Sequence, residues 1–148
     1  MASFCISTDP AALDVALIHH FLSTQSSWAR AIPLATLQRA IDHSLCFGAY
    51  VDGRQVGFAR VVTDHATFAN LVDVFVLPEQ RGNGYSRRLL ERIMADPALQ
   101  GLRRFTLATA DAHGLYADYG FTAPARPAAL MERYYPTLYT DAAAASAD

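Results

Sequence analysis

Hydrophobic and polar residues follow two different periods along the chain, and each change of period marks a predicted element. In two stretches near the N-terminus, apolar residues recur every three or four positions, which is typical of a helix with one buried face. The first predicted helix begins at Asp9-Pro10 and ends near Leu22, and the second begins near Pro33. The residues predicted to face the core are Leu13, Leu17, Phe21, Leu34, Leu37 and Ile41.

Mostly apolar runs predict the strands of the first half. These runs are residues 3–7, 45–51, 55–62 and 68–76. Asp52-Gly53 lies between the second and third runs, and this dipeptide is a strong signal for a hairpin turn.

The second half alternates between helical and strand patterns. A helical pattern ends before Pro97, a strand is predicted at residues 104–109, and a helix follows at residues 112–119. Residues 121–122 and 130–134 are the last strand candidates. Strands and helices interleaved in this way indicate an α/β fold.

Composition limits the domain count and the partners. With 148 residues and 52% hydrophobic content, the chain is long enough for one buried core. We predict a single domain over residues 1–139 and a frayed, disordered tail over residues 140–148, because the alanine-rich end lacks core-forming residues. The net charge of −2 and the isoelectric point near 6.2 argue against nucleic acid or an anionic membrane as a partner.

The N-terminus, the histidines and the cysteines indicate where the protein is located and which chemistry it lacks. The N-terminus lacks the basic and apolar regions of a secretory signal, and no apolar run approaches the length of a membrane span, so we expect a cytoplasmic protein. The five histidines show no metal-ligand spacing, and no metal site is predicted. Cys5 and Cys46 lie in apolar strand-like runs and are expected to be reduced and buried.

The segment from Val76 to Leu90 is the strongest candidate for chemistry. A buried strand runs into Arg81-Gly82-Asn83-Gly84, and a helix opens immediately afterwards. Unpaired backbone N–H groups and the helix dipole at such a junction favour a bound phosphate. A plain strand-to-helix turn with a solvated arginine is the alternative. The segment is neither a nucleotide P-loop, which needs Gly-Lys-Ser/Thr, nor a dinucleotide-binding turn, which needs a third glycine.

Two motifs together resemble the GCN5-related N-acetyltransferase (GNAT) superfamily. Arg81-x-x-Gly84-x-Ser86 is similar to its acyl-CoA loop, although the family usually has glycine or alanine in place of Ser86. Leu115-Tyr116-Ala117-Asp118-Tyr119-Gly120-Phe121 is similar to its Leu-Tyr-x-x-x-Gly-Phe segment. The resemblance covers roughly residues 45–123. It implies a GNAT-like fold with a central mixed, mostly antiparallel sheet of six to seven strands and about four flanking helices.

The resemblance also implies where acetyl-CoA binds as co-substrate. The implied binding residues are Phe75, Val76, Arg81, Gly82, Asn83, Gly84, Tyr85, Ser86, Arg87, Thr109 and Asp111. The backbone of the first two would pair with the pantetheine amides, as an added strand would. Of the arginines near the loop, Arg81 and Arg87 are expected close to the ligand and the others in solvent. Thr109 and Asp111 stand where the family commonly has an asparagine that contacts pantetheine.

Four residues are candidates for the chemistry itself. Tyr116 is implied to donate a proton to the CoA sulfur, since phenol and thiol pKa values are close. Asp73 is the acid in an otherwise apolar strand and resembles the acid that meets the substrate amine in diamine acetyltransferases; a structural carboxylate paired with Arg60 is the alternative. The general base is left open between Asp73, His113 and a water chain. Trp28 is expected either to form part of the wall of the acceptor pocket or to lie in the hydrophobic core.

The predicted function is transfer of acetyl from acetyl-CoA directly to a primary amine of a small molecule. An acetyltransferase acting on a protein or peptide amine, and a non-catalytic acyl-CoA-binding sensor, are the alternatives. Dimers are frequent in the family, and Tyr134, Tyr135 and Tyr139 look exposed, so a homodimer is a further expectation.

Overall fold

A mixed five-stranded sheet forms the centre of the protein over residues 2–146, the part of the chain that the computed structural model describes. The strands are β1 (Phe4–Ser7), β2 (Leu45–Val51), β3 (Arg54–Thr63), β4 (Phe68–Val76) and β5 (Arg104–Leu107). They lie in sequence order, and every pair is antiparallel except the parallel pair β4 and β5. The mostly antiparallel mixed sheet is therefore confirmed.

Five α-helices accompany the sheet within the same described residues. They are α1 (Val15–Thr24), α2 (Leu34–Asp42), α3 (Tyr85–Ala95), α4 (His113–Ala117) and α5 (Leu138–Ser146). The first two join β1 to β2, α3 makes the crossover from β4 to β5, and α4 and α5 follow the last strand.

Two apolar clusters cover the two faces of the sheet. In one cluster, Leu89, Leu90 and Ile93 of α3 pack with Phe47 of β2 and other strand residues. Full burial of such side chains stabilises the fold by about 1.5–3 kcal/mol each.

The second cluster joins α1 and α2 to the opposite face. Ile18, Phe21 and Leu37 pack there with Phe58 and Phe75. The rings of Phe21 and Phe75 stack with centroids 4.0 Å apart. This stack fixes α1 beside the C-terminal half of β4, where the candidate site lies.

The first helix begins later than predicted because two aspartates cap two separate elements. Asp9 accepts a hydrogen bond from the Ala11 backbone N–H at 2.9 Å, and this bond caps only a short 3₁₀ turn. Asp14 accepts from the Leu17 N–H at 3.0 Å and caps the true start of α1. In α2, the predicted inward position of Leu34 is wrong, since this residue is 51% exposed in the first helical turn.

The predicted count of six to seven strands is wrong. Residues 121–122 and 130–134, the two last candidates, have no strand partner in the described part of the chain. Apolar residues alone do not make a strand, because the backbone needs a neighbouring strand to complete its hydrogen bonds. Pro124, Pro127 and Pro136 also remove backbone donors from this region.

The C-terminal segment differs from the predicted frayed tail over the residues that are described. Helix α5 extends to Ser146, none of its residues is buried, and Tyr139 packs partly against the second cluster. Residues 147–148 of the predicted tail lie outside the described residues. Across residues 2–146, every helix falls short of the length and apolar character that a membrane crossing requires.

Candidate active site

Strand β4 and the edge strand β5 separate and leave an opening beside β4. Their parallel pairing ends at Leu71 and Leu107, whereas β4 continues to Val76. On the side of β5, the backbone of residues 72–76 therefore has no strand partner within the described chain. Such an edge can accept an extended ligand that carries amide groups.

A cleft of about 370 Å³ lies beside this free edge. Its lining residues are Phe21, Gln25, Ser27, Trp28, Val74, Phe75, Val76, Arg81, Ser86, Leu90, Leu115 and Tyr116. A second cavity of about 220 Å³ adjoins it over the loop before α3. The two cavities share Val76, Arg81, Ser86 and Leu115, so they lie side by side.

The predicted phosphate loop lies in the second cavity and presents free backbone donors. Gly82 and Gly84 adopt φ angles of 84° and 77°, which favour glycine, and a Cβ built at either position meets nothing within 4 Å. Gly84 is the N-cap of α3 and offers no side-chain cap. The first N–H to bond along the helix is that of Arg88, at 3.1 Å from the Gly84 carbonyl. The backbone N–H groups of residues 85–87, together with the helix dipole, thus favour binding of an anion.

Asn83 and Arg81, both predicted to bind the cofactor, stabilise the loop by bonds to backbone. Asn83 Nδ2 donates to the Gln80 carbonyl at 2.9 Å. Arg81 Nε donates to the Val76 carbonyl at 3.0 Å, and its side chain lines both cavities. The loop is therefore held in shape by its own chain.

The arginines that follow the loop have different surroundings. Arg87 lines the loop cavity and pairs with Asp118 at 2.9 Å in an exposed ion pair. Arg88 lies over the Phe4 ring at 4.3 Å. Tyr85, predicted to bind the cofactor, lines the loop cavity and stacks on Phe4 with centroids 4.2 Å apart. Of the arginines in and after the loop, Arg81 and Arg87 therefore line the loop cavity, whereas Arg88 does not.

Tyr116 brings a free hydroxyl to the cleft. The side chain is half-buried and its hydroxyl makes no hydrogen bond to any residue that the structure describes. The Phe121 ring contacts the Tyr116 ring edge-on, with centroids 6.1 Å apart. Burial raises the pKa of the Tyr116 phenol above its ordinary value, and the negative charge of Asp111 raises it further. The phenol therefore keeps its proton at neutral pH.

Asp73 lies at a bulge in β4 and has a partner for each carboxylate oxygen. Its φ angle is 59°, and the β3–β4 register shifts at this point. Trp28 Nε1 donates to Oδ1 at 2.9 Å, and Arg60 Nε donates to Oδ2 at 2.8 Å. Asp73 is only 5% exposed and is not among the residues that line the cleft. The pairing with Arg60 that the sequence left as an alternative is present.

Trp28 forms part of the cleft wall and is 50% exposed. Its loop is braced by the buried Ser26, whose hydroxyl donates to the Leu22 carbonyl at 2.6 Å and accepts from the Ala29 N–H at 3.0 Å. Gln25 and Ser27 of the same loop also line the cleft, and sequence reasoning missed them. A polar loop carries no periodicity that would single them out.

Besides Asp73 and Asn83, three predicted or alternative site residues line neither cavity. Thr109 Oγ1 accepts from the Ala112 N–H at 3.1 Å and so stabilises the start of α4. Asp111 is exposed and acts on Tyr116 through its charge. His113 is exposed at the first position of α4. Within residues 2–146, no group of three or more potential metal ligands comes together.

Comparison with known proteins gives concordant matches. A family model described as an acetyltransferase (GNAT) domain matches residues 42–123, which is more than half of the chain. A Gibberella zeae protein assigned as an acetyltransferase is 36% identical over 135 residues, which cover 76% of this chain and 75% of the relative.

Solved structures extend the similarity to the whole fold. A Xanthomonas campestris pv. campestris protein assigned to the GNAT acetyltransferase family is 65% identical, with a TM-score of 0.92 over 95% of this chain and 99% of its own. A predicted acetyltransferase of Clostridium acetobutylicum, solved with acetyl-CoA, is 14% identical, with a TM-score of 0.65 over 90% of this chain and 96% of its own. The family model and the relatives from Gibberella zeae and Xanthomonas campestris agree, and the chain belongs to the GNAT family of acetyltransferases.

Proposed function

We propose that this protein transfers acetyl from acetyl-CoA directly to a primary amine of a small molecule. One observation carries the proposal: the free edge of β4, the uncapped N-terminus of α3 and the unbonded hydroxyl of Tyr116 border two adjoining cavities. These three features correspond to three parts of an acyl-CoA molecule: the amide-bearing arm, the pyrophosphate and the thioester.

The residues present fit acetyl-CoA as co-substrate. Backbone N–H groups at the start of α3 suit the pyrophosphate, and Gly82 and Gly84 leave open space above the loop. The backbone of Phe75 and Val76 suits the pantetheine amides, because this part of β4 lacks a neighbour on the β5 side. The Clostridium acetobutylicum relative with the same fold was solved with acetyl-CoA.

Acetyl-CoA supplies the acyl group: the amine nitrogen bonds to the carbonyl carbon, the carbon–sulfur bond breaks, and the thiol leaves. In this chain, an N–H of the free β4 edge polarises the carbonyl, a contact worth about 2.7–4 kcal/mol in a dry site. Tyr116 donates its proton to the departing sulfur and regains one from the solvent. Its raised pKa keeps that proton in place between turnovers.

The acceptor lies on the Trp28 side of the cleft. Asp73 positions the indole there through the 2.9 Å hydrogen bond and does not itself reach the cleft. Both of its oxygens are engaged, and His113 lies outside the lining. Water in the open cleft therefore takes the proton that the amine loses.

The size of the cleft supports a small acceptor. Its volume of about 370 Å³ is near the lower end of the about 300–1,000 Å³ typical of small-molecule sites, and it must also hold the thioester end of acetyl-CoA. The lining contains no carboxylate, which favours a monoamine over a polycation.

Calorimetric titration with acetyl-CoA, CoA and a longer acyl-CoA tests the first part of the proposal. We expect one-to-one binding of acetyl-CoA; no binding up to about 1 mM, equivalent to roughly −4 kcal/mol, contradicts it. A panel of small amines and lysine peptides with thiol-release readout tests the second part. Turnover with peptides alone identifies a protein-directed enzyme, and binding without turnover in either set identifies a sensor.

A further inference from the structure

The cleft beside β4 is lined by residues from both faces of the sheet. Leu90, Leu115 and Tyr116 line it and pack with the first apolar cluster, on the face that α3 covers. Phe21 and Phe75 also line it and belong to the second cluster, on the face that α1 and α2 cover. The cleft therefore has an α3 side and an α1 side, with the free edge of β4 between them.

The direction of a bound acyl chain follows from this arrangement and rests on the proposed function. The loop cavity, which contains Gly82 and Gly84 and is proposed to hold the pyrophosphate, adjoins the cleft at the start of α3. From there the pantetheine arm runs along β4 to Tyr116, whose hydroxyl is proposed to meet the sulfur. Because the pantetheine arm occupies the α3 side, an acyl chain on that sulfur extends towards the α1 side.

Two stacked aromatic rings form an apolar wall on the α1 side. Phe21 of α1 and Phe75 of β4 lie with ring centroids 4.0 Å apart and ring planes 13° apart. Each residue is only 4% exposed, although both line the cleft. The rings therefore present a small, fixed apolar surface to the end of the acyl chain.

The residues behind this wall leave it little room to yield. Phe58 is fully buried and contacts the Phe75 ring, with centroids 6.0 Å apart. Ile18 and Leu22 of α1 are fully buried in the same cluster. Insertion of extra methylene groups into a packed core forces side chains out of their preferred rotamers. A longer acyl chain must therefore displace a packed ring or turn towards Trp28, where the acceptor is proposed to bind.

We propose that Phe21, held by its stack on Phe75, limits the length of the acyl chain and makes the enzyme select acetyl over longer acyl groups. Phe21 lies in α1, outside the residues 42–123 that match the family model, so the role follows from the packing of this chain. In an apolar pocket, discrimination against one extra methylene group is worth about 10–200-fold in kcat/KM.

Calorimetric titration with acetyl-CoA, propionyl-CoA and butyryl-CoA tests the length limit and needs no acceptor. We expect the wild-type protein to bind butyryl-CoA about tenfold or more weakly than acetyl-CoA. Equal affinities for the three compounds overturn the length limit and leave the proposed function intact. Absence of binding by all three contradicts both.

Phe21→Leu should move the limit, because leucine keeps an apolar residue in α1 and removes the flat ring from the wall. We expect the affinity for butyryl-CoA to rise by about tenfold relative to acetyl-CoA, and the ratio of kcat/KM values to change in the same direction. Phe58→Leu is the matched control, since Phe58 contacts the same Phe75 ring in the same cluster but does not line the cleft. The control should lose a similar unfolding free energy and keep the wild-type preference. An equal change of preference in both variants, or none in Phe21→Leu, overturns the proposal.

Phe21→Met keeps the proposal testable if the leucine variant does not fold. Methionine is unbranched and flexible, so it fills much of the space of the ring and can also turn aside for a longer acyl chain. We expect a smaller gain in butyryl-CoA affinity than for leucine, with the affinity for acetyl-CoA unchanged. Circular dichroism and urea unfolding establish that each variant is folded. A folded Phe21→Met protein with the wild-type ratio of affinities contradicts the proposal.

Discussion

The indole Nε1 of Trp28 donates a 2.9 Å hydrogen bond to Oδ1 of Asp73, which lies 45 positions further along the chain. The bond connects the half-exposed wall of the cleft to a buried carboxylate in the β4 bulge. Arg60 occupies the other oxygen and also donates to Ser44 Oγ at 3.1 Å. A buried polar network therefore sets the position of a surface aromatic residue.

Replacement of Asp73 by Asn should raise the KM for the acceptor amine and leave the affinity for acetyl-CoA unchanged. A carboxamide has one acceptor oxygen, whereas Trp28 and Arg60 each need one, so the indole or the guanidinium loses its partner. Loss of the counter-charge to Arg60, whose side chain is 16% exposed, should also lower the free energy of unfolding, by less than the about 3–5 kcal/mol typical of a fully buried pair. Steady-state kinetics and urea unfolding measure the two effects.

Trp28→Phe separates the hydrogen bond to Asp73 from the aromatic surface of the cleft, because phenylalanine keeps an aromatic ring and lacks the N–H donor. We expect a smaller rise in the amine KM than for Trp28→Ala. A tenfold or greater loss of kcat in Asp73→Asn, with an unchanged amine KM, would instead place Asp73 in proton transfer and disprove the positioning role.

Tyr116→Phe should reduce kcat by about 10²–10⁴-fold, because the departing sulfur loses its proton donor. Acetyl-CoA binding measured by calorimetry should persist, since no other contact of the ring is removed. Tyr119→Phe is the matched control: that hydroxyl donates to the Arg87 carbonyl at 3.3 Å and does not line the cleft. Equal rates for the Tyr116 variant and the control would remove the general-acid role.

Strong local signals allowed much of the fold to be predicted. The residues of β4 match the predicted run, since a long apolar segment between turns has few alternatives. The α3 N-terminus was predictable because Gly82 and Gly84 allow the positive φ angles that the turn requires.

The remaining features depend on contacts between distant residues. The left-handed conformation of Asp73 leaves no trace in the alternation of apolar residues, because the partners that stabilise it, Trp28 and Arg60, lie elsewhere in the sequence. The strand expected at residues 130–134 had the right composition, but no strand in the described chain pairs with it. Sequence pattern predicts a strand-like segment more readily than its partner.

Removal of the Asp111 charge should shift the alkaline limb of the rate profile to lower pH. The phenol of Tyr116 acts as an acid only below its pKa, which burial and then Asp111 raise. Asp111→Asn removes the smaller of these causes, so the pKa falls but stays above its ordinary value. Phenolate absorbance and kcat as functions of pH measure the shift. Glu91→Gln, a change of an exposed acid on α3, is expected to leave the limb in place.

The two cysteines should differ sharply in their reaction with thiol reagents. Both were expected to be buried; Cys46 is, but Cys5 is exposed. Burial raises the pKa of the Cys46 thiol to about 11, although the nearby Arg60 charge opposes the shift. Below that pKa the Cys46 thiol is protonated, and its burial keeps reagents away. Alkylation of Cys46 therefore requires unfolding. Timed alkylation at pH 8 with mass spectrometry should show rapid modification of Cys5 alone; rapid modification at Cys46 would contradict its burial.

Gly84→Ala should weaken acetyl-CoA binding by more than its effect on folding explains. The φ angle of 77° at the N-cap of α3 costs a residue with a side chain about 1–2 kcal/mol. The new methyl group would also enter the open space above the loop, where the pyrophosphate is proposed to bind. Gly101→Ala is the matched control, because Gly101 has a φ angle of 71°, is exposed and has equal open space around it. Both variants should lose similar unfolding free energy, while only Gly84→Ala loses affinity in calorimetry. Equal affinities in the two variants would mean that the loop before α3 does not bind the cofactor.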